Sequence, residues 1–311
     1  MLNLYKKRNF ADIFNDTLAV FKLRGKNYFA NYFIVNGGLL FLLALIIYLI
    51  SRVFFQNIFL GINTPQSQQM LNDYFDSNLE LFIGGGIAIV LLLIVISILN
   101  YSFPVLYLNL LEKGIEPNSN NLLKLLKEKL GRILAFSFMF LITFIPVAIL
   151  VIGITVLLSM VIIGIPLLFI VFPGLICWVS LSFYIYLNQK ESYFKAMGKG
   201  FSMLMQNFWV HIGATLIIYV ILYILQSIVS FIPYIIGLVA MLMDAGNSTG
   251  DEKLGILGVL ILVTLIFSIL LSYILGNILA ISQGMIYYSC EEESKNHSLH
   301  SEIDLIGTDS E

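Results

Sequence analysis

From Ile133 to Leu187 the sequence runs 55 residues without one charged side chain. A hydrocarbon core about 30 Å thick is crossed by a helix of about 20 mostly apolar residues. The run is therefore too long for one crossing and fits two, at about 133–158 and 166–187. Gly164-Ile165-Pro166 supplies the break: glycine favours a turn, and proline lacks the N–H that would continue a helix. The turn is predicted between Met160 and Pro166.

Four more apolar runs have the same character, at about 28–49, 81–105, 208–230 and 254–280. The last could stay helical as far as Ser289. A polar stretch with Pro65, Asp73, Asp76 and Glu80 separates the first two. The predicted fold is all-α, a polytopic membrane bundle of six transmembrane helices, with one membrane domain over 1–289 and a polar acidic tail over 290–311. A spanning β-barrel would show short alternating apolar and polar segments instead of continuous apolar ones. Composition agrees, with 59% hydrophobic and 12% charged residues, against about 45–50% and 25% in soluble domains.

Lysine and arginine accumulate in cytoplasmic loops, and here they orient the chain. Six precede the first span (Lys6, Lys7, Arg8, Lys22, Arg24, Lys26) and five lie between the second and third (Lys113, Lys124, Lys127, Lys129, Arg132). Lys190, Lys195 and Lys199 fall between the fourth and fifth, and Lys295 follows the sixth. Only Arg52 and Lys253, of 17 basic residues, fall on the opposite side. Both termini are expected in the cytoplasm. No cleavage site follows a short hydrophobic core, so no leader is expected to be removed. Cys177 and Cys290 offer no disulfide framework and are read as thiols. The net charge of −2 gives no reason to expect nucleic acid as a partner.

Three amphipathic segments precede odd-numbered spans. Phe10, Ile13, Phe14, Thr17, Leu18 and Phe21 recur at helical spacing before the first. Leu122, Leu123, Leu126 and Leu130 do so before the third, with caps offered by Asn118, Ser119 and Asn120. Phe194, Met197, Phe201, Leu204 and Met205 do so before the fifth. All three are expected at the cytoplasmic face, where apolar faces beside lysine bury in the headgroup boundary and make membrane lipids the expected partners. Anchoring is the simpler role and lipid sensing the sharper one. The chain then reads as three units of surface helix plus hairpin. The apolar stretch from Pro233 to Met243 is too short to cross and is placed at the outer surface.

Catalysis needs a base within reach of its partner, and the three histidines are poorly placed for it. His297 and His300 lie in the tail, and His211 lies one turn inside the fifth span, where a water or carbonyl partner is expected. No metal or other cofactor is expected. No span carries an acid, lysine or arginine near its centre, which argues against an ion-coupled carrier. Gly84-Gly85-Gly86 lacks the context of a phosphate loop. The remaining polarity is amide and hydroxyl, including Ser97, Thr143, Thr215, Gln226 and Gln283. Such residues chiefly pack helices, but Asn36, Asn100 and Asn277, if convergent, could contact a lipid headgroup or an uncharged solute. The tail, with its Glu302-Ile303-Asp304-Leu305-Ile306 cluster, could dock a protein partner.

Phe172-Pro173-Gly174-Leu175, then Glu191, Ala196, Met197, Gly200, Phe201, Met203, Gln206 and Asn207-Phe208-Trp209, form an ordered set of motifs. With Phe10-Ala11-Asp12-Ile13-Phe14-Asn15-Asp16-Thr17 at the start, the chain resembles the membrane domain attached to some bacterial glycerophosphoryl diester phosphodiesterases. It also resembles a broad group of uncharacterised bacterial multispan proteins. The resemblance implies placement in a bacterial inner membrane. In the fused relatives catalysis belongs to a separate soluble barrel, which this sequence has no segment long enough to form. The expectation is a nonenzymatic scaffold or lipid-associated component of membrane homeostasis, with a transporter or exporter of a lipidic or uncharged solute as the alternative.

Overall fold

A computed structural model describes residues 3–58, 76–160, 164–243 and 250–295. Among them are seven helices and no strand: α1 (Phe10–Ile58), α2 (Leu79–Glu112), α3 (Ser119–Ser159), α4 (Gly164–Asn188), α5 (Tyr193–Gln206), α6 (Phe208–Met243) and α7 (Gly250–Lys295). All but α5 are long and apolar enough to cross a membrane, as in a multi-pass membrane protein. The polar stretch around Pro65 and Asp73, the residues between Met160 and Gly164, and the tail beyond Lys295, with His297, His300 and the 302–306 cluster, lie outside the described residues.

Two of the three amphipathic segments are not separate helices. The first is the beginning of the 49-residue α1 and the second the beginning of the 41-residue α3. At 1.5 Å per residue these rods are about 74 and 62 Å long, more than twice the hydrocarbon thickness. The sequence between surface segment and span holds no proline, so nothing interrupts the hydrogen-bond ladder. Each start is capped. Asn9 and Asp12 exchange backbone and side-chain bonds of 3.2 and 2.9 Å ahead of α1, a capping box in which each side chain satisfies the other's N–H. Asn118 accepts from the Asn121 N–H at 2.8 Å ahead of α3, as its position suggested. Only α5 stands apart, because Asn207 leaves helical geometry (φ −131, ψ 55) and its amide donates to both oxygens of Glu293 at 3.1 and 2.9 Å.

The stretch from Pro233 to Met243 is likewise not a separate piece. It continues α6, with Pro233 inside the helix, and Pro104, Pro146 and Pro173 lie inside α2, α3 and α4. A proline inside a soluble helix costs about 3 kcal/mol. In an apolar medium, abandoning the helix would leave several backbone groups without partners, so the ladder persists around the ring. The C-terminal tail also begins later than expected, since α7 carries through Cys290 and Glu291 to Lys295.

The chain divides into two compact units. One comprises Met1–Val35, Asn100–Ile221 and Gly276–Glu311; the other comprises Asn36–Leu99 and Leu222–Leu275. Within the first, residues 102–110 of α2, 180–187 of α4 and 281–292 of α7 are buried without interruption, so these segments are enclosed on every side. Tyr28 meets Phe103 and Tyr107 of that α2 segment edge to face, with centroids 5.1 and 4.7 Å apart. The α3 and α5 helices both pack on α4. Gly200 lets α5 approach until a Cβ there would meet the Ser182 hydroxyl and backbone, and Trp178 Nε1 donates to the Met197 carbonyl at 2.8 Å.

Helices of the second unit meet through hydroxyl and amide side chains. Ser230 and Ser268 share a 2.8 Å hydrogen bond, and the Gln226 amide reaches the Ser268 carbonyl at 3.4 Å. Ser97 and Tyr273 lie 3.2 Å apart. Its outward surface is large and apolar, including Ile83, Ile87, Leu91, Tyr223, Ile228 and Ile235. Such a surface suits lipid far better than water.

Candidate functional site

Asn100 and Asn277 converge. Asn277 Nδ2 donates to Asn100 Oδ1 at 3.1 Å, Tyr32 donates to that same oxygen at 2.7 Å, and Tyr28 donates to Asn277 Oδ1 at 2.7 Å. Both amide oxygens thus accept from neighbouring helices. Asn36 is fully buried and belongs to the other unit. Buried amides need partners because an unmet one costs about 1–3 kcal/mol. Here tyrosine hydroxyls supply them, and the four-residue set ties α1, α2 and α7 together.

A second polar assembly was not anticipated. The segment before α1 is strapped to the first unit at two points. Tyr5 donates to Glu112 Oε1 at 2.5 Å, and Tyr288 donates to Oε2 of the same carboxylate at 3.0 Å. Burial and the Glu112 charge both push the Tyr5 hydroxyl pKa upward. Three residues on, the Arg8 N–H donates to Ser289 Oγ at 2.9 Å. The Arg8 guanidinium is buried yet well supplied. It pairs with Asp16 at 2.8 Å and donates to the carbonyls of Leu4, Lys6 and Asn3 at 2.7, 3.1 and 2.8 Å. Burial lowers its pKa and Asp16 opposes the shift; the ordinary value is so high that the group stays charged.

The end of α4 forms the third part. Helix ends leave carbonyls unpaired and carry partial negative charge, which cations satisfy. Arg132 Nη2 donates to the carbonyls of Tyr186 and Glu191 at 2.5 and 2.8 Å, with its guanidinium 4.2 Å from the Tyr186 ring centroid. Lys129 donates to the Leu187 carbonyl at 3.0 Å. Lys190, with φ 56, turns the chain sharply, and Glu191 beyond it receives Lys199 at 2.6 Å and Lys195 at 2.9 Å. Those ammonium groups, Lys199 first, hold its carboxyl below the usual range. Gln189 reaches across to Glu291 at 2.8 Å, which also receives Lys295.

Comparison with family models, curated proteins and solved structures finds no match for this chain.

His211 has the carbonyl partner its position suggested, with Nδ1 3.3 Å from the Leu204 carbonyl. A carbonyl only accepts, so Nδ1 carries the proton and Nε2 turns its lone pair toward the Cys290 thiol, 3.7 Å away. Both cysteines are free and buried. Among the described residues no three of His, Cys, Asp and Glu gather as metal ligands. Sequence reasoning missed the buried Arg8 and Glu291 because each stands in polar sequence outside the apolar runs, where a charge ordinarily meets solvent, and it missed Glu112 as the shared acceptor of Tyr5 and Tyr288. The one signal was the pair Tyr287-Tyr288 followed, after Ser289 and Cys290, by three glutamates, a wet-ended aromatic pair close to carboxylates.

Proposed function

We propose that the chain is a nonenzymatic multi-pass protein of the bacterial cytoplasmic membrane, with both termini in the cytoplasm. It acts as a scaffold or a lipid-associated component of membrane homeostasis. One observation carries this reading: the span amides Asn100 and Asn277 are bonded to each other and to Tyr32 and Tyr28 across three helices. A carrier needs polar groups that exchange their partners for a solute, whereas a scaffold needs them closed. The distribution of lysine and arginine supports the orientation. The amphipathic beginnings of α1 and α3, together with α5, support a cytoplasmic face that touches lipid. The resemblance to phosphodiesterase-linked membrane domains supports a membrane role separated from catalysis.

The test is reconstitution. Purified protein in phospholipid vesicles is expected to leave glycerol permeability and the flip rate of a fluorescent phospholipid at the protein-free level. Flux that scales with the amount of protein would replace this reading with a carrier of an uncharged or lipidic solute. For the scaffold role, crosslinking in cells is expected to capture a protein partner that deletion of residues 296–311 releases.

A further inference from the structure

We propose that α5 is a lipid-binding element lying in the headgroup layer, with Phe194, Phe201 and Met205 inserted among the acyl chains; this rests on the membrane placement above. At roughly 100° per residue its side chains fall into three sectors. Tyr193, Ala196, Met197, Gly200, Met203 and Leu204 form the buried face. A stripe about a quarter-turn or more away holds Phe194, Phe201 and Met205, with exposures of 71, 45 and 44%. The third sector is polar, with Lys195, Lys199, Ser202 and Gln206. A helix between protein and water needs two sectors. The additional sector here, apolar yet exposed, calls for another medium.

Connectivity names that medium. The α4 and α6 helices are long and apolar enough to cross a membrane, and α5 is joined to them by residues 189–192 on one side and Asn207 alone on the other. Its 14 residues span about 21 Å, too short to cross, so crossing neighbours hold it at the bilayer surface. Trp209, 71% exposed at the start of α6, marks the same depth, where indole rings concentrate. The lysine sector then faces water and the lipid phosphates, where long basic side chains keep their charge solvated. Lys195 stays largely exposed while pairing with Glu191.

The experiment places a nitroxide singly at six positions of the full chain in phospholipid nanodiscs, with Cys177 and Cys290 replaced by alanine. The ratio of oxygen to nickel-chelate accessibility is expected to be several-fold higher at 194, 201 and 205 than at 195, 202 and 206. Equal ratios, nickel access at 194, 201 and 205, or protection there from both reagents, as under a protein partner, would overturn the proposal. If labelled variants fail to fold, quenching of the unlabelled protein by brominated lipids decides. The part of the fluorescence lost in Trp209→Phe is expected to be quenched most by bromines near the headgroup, and no quenching would overturn it. Solute flux would sink the functional reading above without altering this pattern.

Discussion

Asn277 donates its amide to Asn100 across 3.1 Å while accepting the Tyr28 hydroxyl at 2.7 Å, joining residues of α1, α2 and α7 through one side chain. Replacing Asn277 by leucine removes the acceptor of Tyr28 and one donor to Asn100. The expected loss is about 1–3 kcal/mol, the cost of leaving buried polar groups unmet. A double-mutant cycle with Tyr28→Phe, read by unfolding in detergent, should give a coupling of about 0.6–1.7 kcal/mol, the range found inside a membrane bundle. Strict additivity would show that the bond contributes nothing.

Gly200 and Gly198 sit two residues apart on α5 and predict opposite outcomes. A Cβ at Gly200 would collide with Ser182, while one at Gly198 meets nothing within 4 Å. Gly200→Ala should destabilise by about 1–3 kcal/mol through overpacking. Gly198→Ala should be neutral or stabilising by up to about 1 kcal/mol, from helix propensity alone. Thermal unfolding of the two variants side by side decides, and equal shifts would contradict the close packing of α5 on α4.

Arg132 satisfies two carbonyls around the end of α4 and stacks on Tyr186. Lysine keeps the charge but has neither the planar fork nor the stacking surface. Arg132→Ala should cost about 1.5–3 kcal/mol, the scale of hydrogen bonds to charged groups, and Arg132→Lys should recover only part of it. Full recovery by lysine in a denaturation series would reduce the role of Arg132 to charge.

Glu191 supplies a pH dependence with a definite sign. Lys199 and Lys195 lower its folded pKa below the ordinary 4.5. The stabilisation is therefore complete above that ordinary value and disappears as pH falls through the lower folded value. Glu191→Gln should be less stable than the natural chain at neutral pH, and the two should converge in acid below the folded pKa. A gap that persists or widens in acid would contradict the pairing.

The six spans were legible because charge-free length alone dictates them, and α5 was legible because its apolar spacing is strict. The fusion of surface segments with spans in α1 and α3 was not. Hydropathy changes at Tyr28 and near Ile133, but backbone hydrogen bonding is indifferent to that change, and only a proline or a capped break would stop the helix. Pro233 misled in the reverse direction, since a breaker in water becomes tolerable where leaving the helix costs more. The convergence of Asn100 with Asn277 could be posed from residue type but not decided, because helix order and rotation set which amides meet.

The sequence by itself determined that the chain has six helices able to cross a membrane, roughly where they lie, and that no charge sits near the centre of any span. Those properties follow from composition along the chain, since lipid penalises charge and unpaired backbone residue by residue. Only the tertiary structure decided that Arg8 and Glu291 turn inward, that Glu112 collects Tyr5 and Tyr288, that the span amides are bonded by Tyr28 and Tyr32, and that α5 keeps an apolar stripe exposed. Each depends on which helix faces meet, and side chains that meet across helices leave no periodic trace of one another in the sequence.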